Sequence, residues 1–103
     1  MEKTVEKIKT LFIRNDIPVF GIKKSSLLED EQAGFRPSDA LPSAKSVLCM
    51  GNPVPKGVFQ NNGRQHENYW RAANIYYRNM DAILMQVARI IEEQGDVAVP
   101  VFG

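Results

Sequence analysis

The feature that most constrains the fold is one long amphipathic segment between Glu67 and Gln94. Apolar residues recur there at alternating steps of four and three, which is the spacing of one face of an α-helix. They are Tyr69, Ala73, Tyr76, Met80, Ile83, Val87 and Ile90. Gly95 follows as a typical helix stop. We therefore expect a helix roughly 40 Å long that covers a small protein and projects beyond it.

Four shorter patterns predict one further helix and three strands. A helical period with a charged opposite face runs over about residues 3–14. Residues 18–22 and 46–51 are short apolar runs, and the second has no alternation, which is typical of a strand buried on both faces. Residues 96–102 form the third predicted strand, in which Pro100 favours an edge position because it lacks an N–H donor.

The order strand, loop, long helix, strand is that of a right-handed crossover unit, which pairs its two strands in parallel. The sequence therefore predicts an α/β fold. We expect a small, mainly parallel three-stranded sheet covered by helices, with the long helix in the crossover between strands two and three. The 103 residues are enough for a single domain, residues 1–103, and too few for two.

Composition excludes several classes of function. The 13 basic and 12 acidic residues leave a net charge of +1, which gives no case for nucleic acid or an anionic membrane as partner. No apolar run reaches the roughly 18 residues of a membrane span. The charged N-terminal stretch does not resemble a signal peptide, so we expect a cytoplasmic protein. One cysteine forms no internal disulfide and holds no metal alone, so no metal site is predicted.

The loop between strand two and the long helix contains the candidate binding residues. Ligands collect at the carboxyl ends of parallel strands, where helix N-termini present free N–H groups. The residues there that suit a phosphate, a carboxylate or a nucleotide are Asn52, Lys56, Arg64 and His66. The alternative is a solvated polar loop without a ligand, and neither of the common glycine-rich phosphate motifs occurs to decide between them.

No catalytic residue can be assigned from the sequence. His66 is the only histidine and lacks a nucleophile partner, and Cys49 is expected to be a buried, unreactive thiol. Tyr69 and Tyr76 belong to the apolar stripe and are interpreted as core. Trp70 and Tyr77 lie seven residues apart on a neighbouring face, where they pack internally or stack on a flat ligand or another subunit.

Three segments carry a resemblance to a known family. They are NDIPVFGIKKSS at residues 15–26, RPSDALPSAKSVLCMGNPVP at residues 36–55 and YRNMDAILMQVARIIEEQGDVAVPV at residues 77–101. In this order they resemble the N-terminal region of epoxyqueuosine reductase-like iron–sulfur proteins, which are related to cobalamin-dependent reductive dehalogenases. The resemblance implies a redox enzyme with a nitroreductase-like α/β cobalamin-binding portion and a ferredoxin-like portion that holds two 4Fe–4S clusters.

The chain departs from that family where the chemistry takes place. Two clusters need two sets of four cysteines, and this sequence contains only Cys49. The matching residues are scaffold residues: Gly21, Leu41, Pro42, Ala44, Lys45, Ser46, Gly51 and Pro53. We therefore expect the N-terminal portion of an iron–sulfur oxidoreductase-like protein, without a cofactor of its own and not catalytic alone. The apolar final residues, 97–102, suit a chain that continues.

Two other hypotheses come from different functional classes. The first is a standalone module that self-associates, because a three-stranded sheet leaves open edges and the long helix has apolar area to spare. The second is a small-anion or nucleotide-binding module that uses Lys56, Arg64 and His66.

Overall fold

A computed structural model describes residues 2–60 and 65–102. The helices are α1 (Glu2–Arg14), α2 (Pro37–Ala40) and α3 (Gln65–Glu93), and the strands are β1 (Val19–Lys24) and β2 (Ser46–Gly51). Two 3₁₀ turns follow the strands: the first turn spans Ser25–Leu28 and the second spans Lys56–Phe59. The two long predicted helices are confirmed, because their periodic apolar faces suffice to define them.

The core lies where α1 packs against the C-terminal half of α3. Its buried residues are Ile8, Phe12, Ile17, Ile83 and Val87. Phe12 and Ile83 are the largest side chains that are completely enclosed. Burying such side chains contributes about 1.5–3 kcal/mol each, so this single cluster is the main source of stability.

The end of α1 turns the chain back onto this core. Asp16 has a φ of 55°, in the left-handed region, and the Ile17 N–H donates to the Phe12 carbonyl at 2.9 Å. This bond is the long backbone hydrogen bond of a helix C-terminal cap. It places the Ile17 side chain, which is 4% exposed, beside the helix that precedes it.

The sheet consists of β1 and β2, paired antiparallel from Val19 opposite Gly51 to Lys24 opposite Ser46. Successive side chains on a strand point to opposite faces. The inner face therefore carries Phe20, Ile22, Leu48 and Met50. Phe20 contacts Phe12 with ring centroids 4.8 Å apart, and Leu48 and Met50 pack against the core.

The predicted parallel, three-stranded sheet is wrong. The connection from β1 to β2 begins and ends at one end of the sheet, because Ser25 donates through its N–H to the Lys45 carbonyl at 3.0 Å and through its Oγ to the Ala44 carbonyl at 2.7 Å. Strands joined in this way run in opposite directions. The direction of pairing depends on this closure of the connection, and no local pattern in the sequence encodes it.

The third predicted strand is also absent. Residues 96–102 follow the α3 terminus, where Gly95 has a φ of 92°, and they form no strand. Pro100 cannot donate to a ladder. The apolar pattern of this segment is left uncovered, with exposures of 62%, 46% and 70% for Val97, Val99 and Val101. No described strand pairs with the segment.

The interpretation of β2 as a strand buried on both faces is wrong as well. The helices pack on the inner face only, and the outer face carries Val19, Gly21, Lys23, Val47, Cys49 and Gly51. Cys49, expected to be buried, is exposed on this outer sheet face. A single helical layer leaves the second face of an antiparallel sheet in water.

The molecule is elongated and exposes more surface than a compact domain of its mass. Its accessible area is 7907 Å², against about 5,800 Å² expected for a compact monomer of this mass. The radius of gyration is 15.8 Å, against about 13 Å expected. The 29 residues of α3 span about 43 Å, so the N-terminal half of this helix extends past the core.

Candidate functional site

The structure describes three of the four predicted binding residues. Asn52 follows the end of β2 and is half-buried, Lys56 opens the second 3₁₀ turn and is exposed, and His66 is exposed in the first turn of α3. Arg64 lies outside the described residues. Because the sheet is antiparallel, this loop is not at a shared edge of parallel strand ends, and anion binding by these residues stays a prediction.

The second 3₁₀ turn packs against α3 through aromatic rings and not through the candidate polar residues. The Phe59 and Tyr69 ring centroids are 5.7 Å apart and the ring planes are inclined by 38°. Both side chains remain about half exposed, at 53% and 46%. The prediction that Tyr69 is a core residue is therefore wrong, since a core side chain would be buried.

An open groove that the sequence analysis missed lies between α1 and α3. It has a volume of about 380 Å³, and its lining residues are Glu6, Lys7, Thr10, Leu11, Arg14 and Ile90. Thr10 Oγ1 donates within its own helix to the Glu6 carbonyl at 2.9 Å. Side chains of both charges border the groove, and they converge on no single acceptor or donor that would fix the orientation of a ligand.

Two carboxylates of the connection from residue 29 to residue 41, those of Glu29 and Asp39, accept structural hydrogen bonds. Glu29 accepts from the Ser38 N–H at 3.2 Å and from Ser38 Oγ at 2.7 Å. Asp39 Oδ2 accepts from the Gly34 and Arg36 N–H groups at 2.8 and 3.0 Å. These backbone donors, Arg36 first, lower the pKa of Asp39 below its ordinary value of 3.8. A carboxylate that is held ionised in this way orders the loop and does not transfer protons near neutral pH.

The residues present do not fit the 4Fe–4S clusters that the resemblance implies. Across residues 2–60 and 65–102, no three His, Cys, Asp or Glu side chains lie close enough to hold one metal ion. A 4Fe–4S cluster takes four thiolates, and Cys49 is the single cysteine of the sequence.

The most extensive feature is apolar surface in three regions. One is the outer sheet face, where Val19 is 61% exposed. The second is residues 96–102, in which Phe102 is 55% exposed. The third is the N-terminal half of α3, where Trp70 and Tyr77 are 67% and 44% exposed. Of the two interpretations given above for this pair, these exposures contradict internal packing.

Apolar surface of this extent is typical of a site that contacts other macromolecules. Periodicity in the sequence identified these residues as apolar, but it could not show that no described element packs on them. In the part of the chain that the structure describes, no helix combines the length and the apolar character needed to cross a bilayer. No family model matches the chain, and no curated protein or solved structure is significantly similar to it.

Proposed function

We propose that this protein is a self-associating assembly module, whose function is to form a larger structure with further copies of itself. The observation that carries the proposal is the excess accessible surface: 7907 Å² is about 2,100 Å² more than a compact monomer of this mass exposes. Stable interfaces bury about 800 Å² per partner. A small ligand covers only a few hundred Å², so a macromolecular partner accounts better for this surface.

The chain's charge favours a second copy as that partner. A net charge of +1 from 13 basic and 12 acidic residues produces little repulsion between copies, and proteins near zero net charge associate most readily. The exposed apolar residues also include large aromatic side chains, Trp70 among them, of the type that dominates binding energy at interfaces. A cytoplasmic location is part of this proposal and is supported by the single cysteine of the sequence.

Sedimentation velocity and size-exclusion chromatography with light scattering test this function. From low micromolar to near-millimolar protein, we expect the measured mass to rise from 11.6 kDa to twice that value or more. A mass that stays at the monomer value over the whole range would contradict the proposal. Trp70 fluorescence, followed over the same dilution series, provides an independent signal of contact.

A second candidate is the N-terminal portion of an iron–sulfur oxidoreductase-like protein. It is supported by the three resembling segments, which include β1, β2 and the C-terminal half of α3. These elements are scaffold, so the cluster cysteines would have to come from further polypeptide that covers the same apolar surface. The chain should be purified anaerobically together with the polypeptide that supplies the cysteines, and this preparation should show the broad visible absorption of iron–sulfur clusters. A colourless preparation without iron contradicts this candidate.

A further inference from the structure

The two-stranded sheet leaves each strand with one edge that no described strand occupies. Such an edge presents a row of unpaired backbone N–H and C=O groups, which is a template for pairing with another strand. The two edges belong to β1 and β2 and are chemically different. Comparing the residues of the two strands shows which edge is suited to pairing.

The β1 edge carries the residues that natural proteins use to prevent pairing. Pro18 immediately precedes β1, and the strand ends in Lys23 and Lys24. Proline removes a donor and lysine charges resist the approach of a second edge. The strand β2, with the sequence SVLCMG, contains neither a charged residue nor a proline. Lys45 lies immediately before β2 as Pro18 lies before β1, so the difference between the edges rests on the residues within the strands. By these residues β2 is the less protected edge.

A strand without charge is well suited to pairing with a second copy of itself. In a two-fold arrangement each residue of one β2 lies opposite a residue of the other, so a charged strand brings like charges close together. The sequence Ser46–Gly51 has no such conflict. Cys49 lies near the middle of the strand and is exposed on the outer sheet face, so two copies would bring these side chains near each other.

We propose that two copies associate through antiparallel pairing of their β2 edges, which forms a continuous four-stranded sheet in the order β1, β2, β2, β1. This inference rests on the proposed self-association and specifies its surface. Backbone hydrogen bonds between the two β2 strands provide the specificity. The outer sheet faces of both copies then lie side by side on one four-stranded sheet.

The first test adds a charge to each edge in turn. Cys49→Lys places a lysine on the exposed face of β2, and Val19→Lys places one on the same face of β1, where the native side chain is 61% exposed. Sedimentation velocity should show that Cys49→Lys raises the dimer dissociation constant by about tenfold or more, because like charges meet across the two-fold axis. The Val19→Lys control should change it less than about twofold. Circular dichroism checks that both variants fold.

The second test measures amide hydrogen exchange of β2 by NMR at several protein concentrations. An edge strand bonds alternate N–H groups, whereas a strand between two neighbours bonds all of them. The alternate β2 amides that face away from β1 should become protected as concentration rises, and the β1 amides should not change.

The outcomes of these tests distinguish a failure of the β2-edge proposal from a failure of the proposed self-association. A protein that stays monomeric overturns both the self-association and the β2 edge. If it self-associates while Cys49→Lys has no effect, or while both lysine variants weaken association equally, the function stands and the β2 edge is wrong. Outward-facing β2 amides that exchange at the same rate at all concentrations overturn the edge proposal in the same way.

Discussion

The two halves of α3 continue one apolar stripe but have different surroundings. In the C-terminal half, Ile83 and Val87 are 1% and 4% exposed because α1 packs on them. In the N-terminal half, Tyr69 lies on the same stripe and is 46% exposed, with the Phe59 ring beside it. A helical period thus shows which side of a helix is able to be buried, and the neighbouring elements decide whether it is.

The largest loss of stability should come from removing an aromatic ring from the core, where α1 covers the C-terminal half of α3. Phe12→Ala empties the centre of the core, where the ring is 0% exposed, and should cost about 3–5 kcal/mol of unfolding free energy. Phe35→Ala is the matched control, because that ring is 75% exposed, and it should cost less than about 0.5 kcal/mol. Urea unfolding at low protein concentration, below the range of self-association, provides the measurement. Similar losses in both variants would show that the core is not where the structure has it.

The same comparison can be made inside α3 with a smaller substitution. Ile83→Ala, at a position that is 1% exposed, should cost about 2–5 kcal/mol. Ile75→Ala, at a position that is 64% exposed, should be neutral or slightly stabilising, because alanine has the higher helix propensity. The change in helix propensity is the same at both positions, so the difference between the two losses of unfolding free energy measures packing. A substantial loss in Ile75→Ala at dilute concentration would mean that the N-terminal half of α3 is also packed within one copy.

The sequence was sufficient for the elements that local patterns define and insufficient for their arrangement. The period over α1 and α3 fixed both helices, since an apolar stripe and a glycine stop act within the helix itself. The antiparallel pairing depends on Ser25 contacting Lys45 and Ala44, which are distant in sequence. Asn52, Lys56 and His66 were grouped on the premise of a parallel sheet, and the antiparallel pairing removes that premise without testing whether these residues bind an anion.

The exposure of Cys49 illustrates the same point at one residue. An apolar strand sequence is compatible with a strand between two layers and with a strand that has one uncovered face. Only the number of helical layers distinguishes these, and that number is a property of the whole chain. Here α1 and α3 form one layer, so the small residues of the outer sheet face remain accessible.

The smallest predicted effect concerns the connection from residue 29 to residue 41. Hydrogen bonds order this connection, and buried apolar contacts do not. The Gly34 and Arg36 N–H groups lower the Asp39 pKa below 3.8, so the carboxylate stabilises this loop at pH values above the unfolded pKa, and the contribution is lost as pH falls through the lower folded pKa. NMR titration should therefore show the Gly34 and Arg36 amide shifts moving with a midpoint below 3.8.

Asp39→Asn should abolish that titration of the two amides, because the side chain no longer ionises, while Phe12 and the rest of the core keep their chemical shifts. Asp30→Asn is the matched control: Asp30 is exposed in the same connection, and its replacement should leave the titration in place. A midpoint at or above 3.8 in the native protein would show that the carboxylate does not accept these hydrogen bonds in solution. The effect should stay local, since an exposed hydrogen-bonded loop orders its own backbone and contributes little to the buried packing of α1 on α3.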